Sequence, residues 1–414
     1  MISERTLYVG VESSVGTPIA PMGILKLARR GVIESGEFAY GQRYLQSPQA
    51  WALNPNYLPL QSASVALPER RLRDGGALPL TFRDALPDSW GRRVLEAQYG
   101  NRLSDIDVLL LTNADRVGAM VFSAHLPIQS DLSVIDLISL DALADAVRQL
   151  EFAMEITPAM KRLLQRGGTL GGARPKATFI HDAFRWMAKF PARGDEYNVE
   201  ILEAATLNLA RQCGITVPQF FVQPLHIGHA LLLRRFDRQG SVGDEQRIHF
   251  LSASALLNVP YESSGGSYIE FAQTLRCVSA DPARDLHQLY RRMVFNLAID
   301  NSDDHVKNHD VLRAGNKGYL LSPAFDLVPQ MSNLGYQQLP ILPGRFDANL
   351  DLAREAAPHF GISLIEANAL INEIVKTVRD SYEDALREQG ADKMLIERAC
   401  ECMKKQAGLI ASGW

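Results

Sequence analysis

Short apolar runs separated by glycine-containing turns open the chain. Leu7 to Val11, Met22 to Leu27 and Glu37 to Tyr44 read as strands. Asp88 caps a predicted helix, Ser89 to Tyr99, which Gly100 stops. A second helix is expected over Ser104 to Leu111, and Asp115 to Phe122 reads as a tight turn entering a strand. From Ser139 the pattern becomes helical. Asp141 is the expected N-cap of Ala142 to Phe152, and Thr157-Pro158 opens a further helix that Gly167-Gly168 ends. Two strand-like segments follow, Lys176 to Ile180 and Phe184 to Phe190. A helix carrying Ile201, Leu202, Ala205 and Leu209 on its apolar face comes next. Strands return at Gln219 to Gln223 and Ala230 to Phe236. Beyond Ser252 the pattern is mostly helical, broken by a strand pair, Asp310 to Arg313 and Gly318 to Leu321. The tail, Ser363 to Gly408, is amphipathic helix.

This order predicts an α+β fold. A β-rich module spans 1–125. A second region, 126–240, joins a glycine loop to strands and one helix, and an α-rich part covers 241–414. A small β lobe feeding a large α lobe is a protein-kinase-like, bilobed layout, although many α+β folds share it.

Composition narrows the classes. The 414 residues are 46% hydrophobic and 22% charged, enough to bury a core. A net charge of −4 excludes a generic nucleic-acid coat. Cys213, Cys277, Cys400 and Cys402 are too few and too scattered for a disulfide scaffold and read as reduced thiols. The first residues lack the apolar stretch of a signal peptide, and no apolar run approaches a membrane span. A soluble cytoplasmic protein is expected.

The richest chemistry lies in Asn296 to Asn308. Phosphoryl transfer needs a carboxylate to orient and deprotonate a hydroxyl, and an amide and a second carboxylate to hold Mg²⁺ against phosphates. Asp303 and Asn308 are five apart, the kinase base-to-metal spacing. Asp326 follows a strand pair later, where a second metal carboxylate belongs. Alone, Asp303-Asp304 would be a solvated acidic turn. A metal hydrolase using Asp303, Asp304, His305, His309 and Asp310 is a rival reading, but the His-Glu-x-x-His pattern is missing.

Upstream, Gly167-Gly168-Thr169-Leu170-Gly171-Gly172 can bring backbone N–H groups against a phosphate. It is not a Walker A loop, because no Gly-Lys-Ser/Thr follows. Lys189 ends a strand and Glu203 falls in the next helix, the kinase arrangement for holding phosphates; Glu200 competes as the partner. Arg235 and Phe236 end a strand where an adenine-binding hinge would fall, with an ordinary edge strand equally compatible.

Together these pieces resemble the HipA family of bacterial serine/threonine kinases, toxins of type II toxin–antitoxin systems. The resemblance runs through Phe82 to Arg92, Asp115 to Ala119, the glycine loop, Lys189-Phe190-Pro191, Arg235-Phe236-Asp237-Arg238 and Asp303-x-His305-x-Lys307-Asn308. It implies ATP with Mg²⁺ as cofactors and a hydroxyl on a protein substrate, glutamyl-tRNA synthetase in the best-known members. It also implies a helix-turn-helix, HipB-like antitoxin that bridges the toxin to operator DNA, and no membrane partner. Carried over by position, Asp303 is the base, and Asn308 and Asp326 are the metal ligands. Lys189 and Glu203 serve the phosphates, with Thr169, Gly171 and Gly172 in the loop above them. Arg235, Phe236 and Asp237 lie at the nucleotide hinge, and His305 and Lys307 complete the nucleotide-binding set. Members autophosphorylate on a loop serine; Thr169 stands at that position. Asp304 stands where a small residue is expected and adds a charge beside the base. Two other classes compete: a degraded kinase that only holds an antitoxin or nucleotide, and an aminoglycoside-type small-molecule phosphotransferase.

Overall fold

Cross-strand rows of apolar side chains organise the first sheet in this computed structural model. It describes residues 2–14, 18–100, 103–112, 115–129, 139–152, 157, 173–261, 263 and 265–412. Strand β1 (Ile2–Val11) pairs antiparallel with β2 (Pro21–Arg30), β2 with β3 (Ile33–Tyr40), and β3 with β4 (Val65–Arg71). Strand β5 (Met120–Ser123) closes the other side of β1, giving the order β4-β3-β2-β1-β5. The register sets Leu7, Leu25, Phe38 and Val65 opposite one another, so one face carries a continuous apolar row. That row joins Phe82, Leu109 and Phe122 in a buried core.

Several boundaries differ from the sequence expectation: the first two strands are longer, and the strand expected to reach Phe236 ends at Arg234. The third strand stops at Tyr40, because Gly41 turns the chain into a short helix, Gln42–Leu45, and the Tyr40 hydroxyl is fixed between Leu53 N and Leu58 O. The helix expected to be capped by Asp141 is capped by Ser139, whose Oγ accepts from Ala142 N, and runs Leu140–Glu151. Asp141 instead sits in its first turn, where a negative charge suits the helix dipole. The helix expected to open at Thr157-Pro158 lies outside the described residues.

The chain divides into two compact units. The first is Met1–Trp186 with Asp237–Leu251; the second is Met187–Phe236 with Ser252–Trp414. The second unit is helical around a few strands. The hairpin Phe220–Pro224 and His229–Arg234 pairs antiparallel. The helix Val199–Gln212, capped by Asn198, is buried on nearly every side because the long helix Leu364–Glu388 covers it. Helix Pro282–Ala298, opened by the Asp281 cap and Pro282, packs against Tyr268–Val278 and Leu364–Glu388 and ends just before the acidic loop. Strands Asp310–Arg313 and Tyr319–Leu321 follow as the expected pair. Among the described residues, no helix is long and apolar enough to cross a membrane.

Candidate active site

Lys189 is the last residue of its strand and is 3% exposed. A buried ammonium needs partners, and it has two. Its Nζ donates to both oxygens of Glu203 at 2.7 and 2.8 Å and to Asp326 Oδ1 at 2.7 Å. Glu203 projects from Val199–Gln212, so a strand end, a helix and a distant loop meet at one cation. Burial works against the charge on Lys189, but the Asp326 and Glu203 carboxylates outweigh it and its pKa is raised. The competition between Glu200 and Glu203 thus resolves to Glu203 for this contact; Glu200 is also buried, one turn earlier.

Asp326 differs from its partners. Its side chain is 41% exposed, against 4% for Lys189 and 1% for Glu203. Its backbone is left-handed, with φ 56°, a conformation that non-glycine residues rarely adopt and that gathers at functional sites. Phe325, beside it, packs on Phe236 with ring centroids 5.6 Å apart, so Phe236 of the expected hinge adjoins the Asp326 segment. Arg235 is buried.

The loop after Pro282–Ala298 gives its adjacent carboxylates opposite fates. Asp303 is exposed, while Asp304 is 1% exposed. The Asp304 carboxylate accepts the Tyr268 hydroxyl and lies 3.0 Å from His309 Nε2. Asp303 has a raised pKa. Desolvation by its surroundings is the main cause, His305 opposes it, and Asp326 and then Asp304 add to it. The charge expected to perturb Asp303 from Asp304 therefore acts in the expected direction but ranks last, because Asp304 turns inward. Asn308 is 8% exposed, and its N–H donates to His305 O at 2.8 Å, closing the turn that follows Asp303. Ala253 N and Ser254 N, opening a short helix, donate to His309 O and Val306 O and hold this loop from outside. His305 and Lys307 face Tyr261: the His305 ring is 5.7 Å from the tyrosine ring, and Lys307 Nζ lies 5.1 Å from its centroid.

Asp237 makes its contacts within its own unit. It belongs to the first unit, where its Oδ2 accepts from Gly118 N at 2.8 Å and from Arg238 at 2.6 Å. Gly118, at φ 77°, supplies a backbone that a side chain would obstruct, since a Cβ there would meet Phe250 at 2.7 Å. The sequence motifs Asp115 to Ala119 and Asp237-Arg238 are thus halves of one buried lock. Thr169, Gly171 and Gly172 lie outside the described residues. The rival hydrolase reading finds no support: among the described residues no three His, Cys, Asp or Glu side chains gather to hold a metal, and His309 is engaged with Asp304.

The donors near the acidic loop suit a hard cation. A carboxylate and an amide oxygen, Asp326 and Asn308, are the ligand types Mg²⁺ takes alongside phosphate oxygens.

Residues 168–382, more than half of the sequence, match the family model described as the HipA-like C-terminal domain. The chain belongs to this HipA-like family. That span includes Lys189, Glu203, Asp303, Asn308 and Asp326. The chain is 29% identical over 210 residues to "Putative kinase Y4mE" of Sinorhizobium fredii, covering 48% of each chain. It is 26% identical over 220 residues to "Putative kinase Y4dM" of the same organism, covering 48% of this chain and 50% of the relative. It thus spans about half the length of these two relatives. Among solved structures it is similar to the Shewanella oneidensis MR-1 toxin–antitoxin complex of HipA, HipB and operator DNA. The TM-score is 0.68 at 16% identity, over 96% of each chain. The HipA-like fold is the α+β, kinase-like one that the sequence predicts.

Several residues of the site carried no signal of their own in the sequence. Tyr268 holds Asp304 from 36 positions away. Asp300, also left-handed at φ 56°, accepts from Ser332 N and Asn333 N at 2.8 Å. The C-terminal helix Lys393–Ser412 supports this turn, Gln406 donating to Leu297 O at 2.8 Å and Asn333 donating to Gln406 at 3.1 Å. Asn296 and Asn301 lie within the stretch the sequence singled out, but their spacing gave them no role.

Proposed function

We propose that this protein is an ATP- and Mg²⁺-dependent serine/threonine protein kinase, the toxin of a toxin–antitoxin pair, acting on a hydroxyl of a cellular protein. The carrying observation is the cation Lys189 clamped between Glu203 and the exposed carboxylate Asp326. Membership of a family whose relatives are named putative kinases supports it.

In this reading Lys189 offsets negative charge on the ATP phosphates, and Glu203 keeps its ammonium aimed there. Asp326 and Asn308 hold Mg²⁺, which when bound neutralises charge on the phosphates. Asp303 accepts the proton of the substrate hydroxyl as the new O–P bond forms and the bond to the ADP oxygen breaks. Its raised pKa makes it a stronger base than an ordinary carboxylate. Arg235 and Phe236 flank the base, and His305 and Lys307 lie along the same loop. Thr169 is the autophosphorylation position. A phosphate there adds about −1.5 to −2 charge, which drives the glycine loop, with Gly171 and Gly172, away from the ATP phosphates. An aminoacyl-tRNA synthetase is the substrate class the resemblance implies. A HipB-like antitoxin, and operator DNA through it, are the proposed partners, as in the Shewanella complex. The proposed location is the cytoplasm.

The test is incubation with labelled ATP, Mg²⁺ and host lysate, with Asp303→Asn as control. A labelled protein that is absent with the control supports the reading. No Asp303-dependent label on any protein, this chain included, sinks it. Intact-mass measurement and peptide mapping then locate any self-modification; a phosphate away from Thr169 removes that residue from the scheme.

A further inference from the structure

Asp303 and Asp326 carry like charges on separate loops, and the Asp326 carboxylate raises the cost of ionising Asp303. Left to their own loops, they would move apart. What resists this is a row of side chains that has no other evident task. Asp304, next to Asp303, accepts the Tyr268 hydroxyl. The same hydroxyl accepts from Asn296 Nδ2 at 3.0 Å. Asn296 Oδ1 accepts from Asn301 Nδ2 at 3.1 Å, and Asn301 Nδ2 also reaches Asp326 O at 3.3 Å. All four side chains belong to residues no more than 2% exposed. Buried polar side chains that satisfy one another are rigid, since any break leaves a group without water or partner. The row starts one residue from the proposed base and ends on the backbone of the proposed metal carboxylate.

We propose that Asp304, Tyr268, Asn296 and Asn301 form a positioning tie that sets the separation of the Asp303 and Asp326 carboxylates. The inference deepens the kinase reading and, for its effect on catalysis, rests on it. Asp304 and Asp303 are neighbours on one loop, so anchoring Asp304 inside limits how far the Asp303 backbone can move. His309 completes the Asp304 anchor. The far end needs the tie most, because Asp326 holds a left-handed backbone that surrounding contacts must maintain.

The first test needs no activity. Tyr268→Phe deletes one hydroxyl and with it two bonds of the row. In the full chain, amide hydrogen exchange should rise about tenfold or more in the segment 324–330, where Ala324 N and Gln330 N are hydrogen-bonded to Thr216 O and Asp300 O. Faster exchange confined to Tyr268–Val278 and 303–310 would overturn the tie. The second test is kinetic. Tyr268→Phe should lower kcat about tenfold with the KM for ATP changed less than about twofold, and adding Asn301→Ala should cost little more, because one broken link already interrupts the row. Additive losses overturn the tie. Asp304→Asn keeps an acceptor for Tyr268 and should retain most activity, whereas Asp304→Ala should match Tyr268→Phe. Equal damage from both Asp304 variants would mean that charge, not the hydrogen-bonded row, matters there. Should Tyr268→Phe fail to fold, the exchange measurement is made on Asp304→Ala with the same two outcomes. A protein that transfers no phosphate yet shows the propagated exchange sinks the kinase reading and leaves the tie standing.

Discussion

Two charge clusters, one in each unit, are both built from cations paired with carboxylates and end differently. In the first unit, Asp237, Arg238, Arg247, Glu12 and Glu245 are all no more than 6% exposed. Their bonds run to each other, to Arg185 and to the backbone: Arg238 to Arg116 O at 2.7 Å, Arg247 to Gly118 O at 3.0 Å and to Glu12 at 2.8 Å, and Arg185 to Glu245 at 2.7 Å. This cluster is closed, and what it holds is the turn around Gly118. In the second unit, Lys189 and Glu203 are as deeply buried, but the third member, Asp326, opens to solvent from a left-handed backbone. Closed clusters fix a fold. A cluster with one exposed, conformationally costly member is organised toward something that arrives from solvent.

The contrast breaks first at Asp303. Asp303→Asn should lower phosphoryl transfer by about 10²–10⁴-fold, with circular dichroism unchanged and no loss of unfolding midpoint. Near-normal transfer would remove the loop from the chemistry. In the closed cluster the expected effect is the reverse. Asp237→Ala leaves Arg238 and Gly118 N without their shared acceptor, and breaking a buried pair costs about 3–5 kcal/mol. Denaturant unfolding should show that loss. The fraction still folded should bind Mg·ATP as before. A loss of nucleotide affinity without a loss of stability would return Asp237 to the nucleotide hinge, where the family resemblance put it.

The sequence reached the second cluster more easily than the first for a physical reason. Lys189 at a strand end and Glu203 in the next helix lie 14 positions apart, and kinase chemistry prescribes such a pair. Asp303 and Asn308 sit in one loop. Fold class followed from apolar periodicity, and the strand pair Asp310–Arg313 and Tyr319–Leu321 from its flanking turns. The buried pairing of Asp237 is not legible in the sequence, because its partner, Gly118, is 119 positions away and no local pattern tells which way a side chain points after a strand ends. The inward turn of Asp304 was hidden for the same reason, since Tyr268 and His309 reach it from separate elements. Spacing within an element is written locally; pairing between elements is set by packing.

Asp326→Ala sharpens the comparison at a middle scale. The variant leaves Lys189 paired with Glu203, so no buried charge is stranded, and the carboxylate removed is partly solvated. Unfolding free energy should fall by about 1.5–3 kcal/mol, the range for a hydrogen bond to a charged group, while calorimetric titration should show Mg·ATP affinity reduced about tenfold or more. Unchanged affinity would make Asp326 a structural partner of Lys189 and place the second cluster in the same class as the first.

The smallest effect is in pH. The folded state raises the pKa of Asp303, chiefly by desolvation, with His305 opposing and Asp326 and Asp304 contributing. A raised carboxyl is harder to ionise folded than unfolded, so above its folded pKa its charge opposes folding, and that opposition fades as pH falls through the folded pKa. Two consequences have opposite signs. The acid limb of kcat/KM should begin at a higher pH than an unperturbed aspartate would give, because the base works only when ionised. Stability should respond the other way. At neutral pH, Asp303→Asn should unfold at a midpoint equal to or slightly above that of the unaltered protein. The two midpoints should converge as pH is lowered through the folded pKa and Asp303 becomes neutral. Paired unfolding curves across the acid range, with kcat/KM profiles of the unaltered protein, measure both. A variant less stable at neutral pH, with the gap closing toward low pH, would mean that the Asp303 carboxylate is held by a favourable partner, and Asp303 would then belong with the closed cluster rather than the open one.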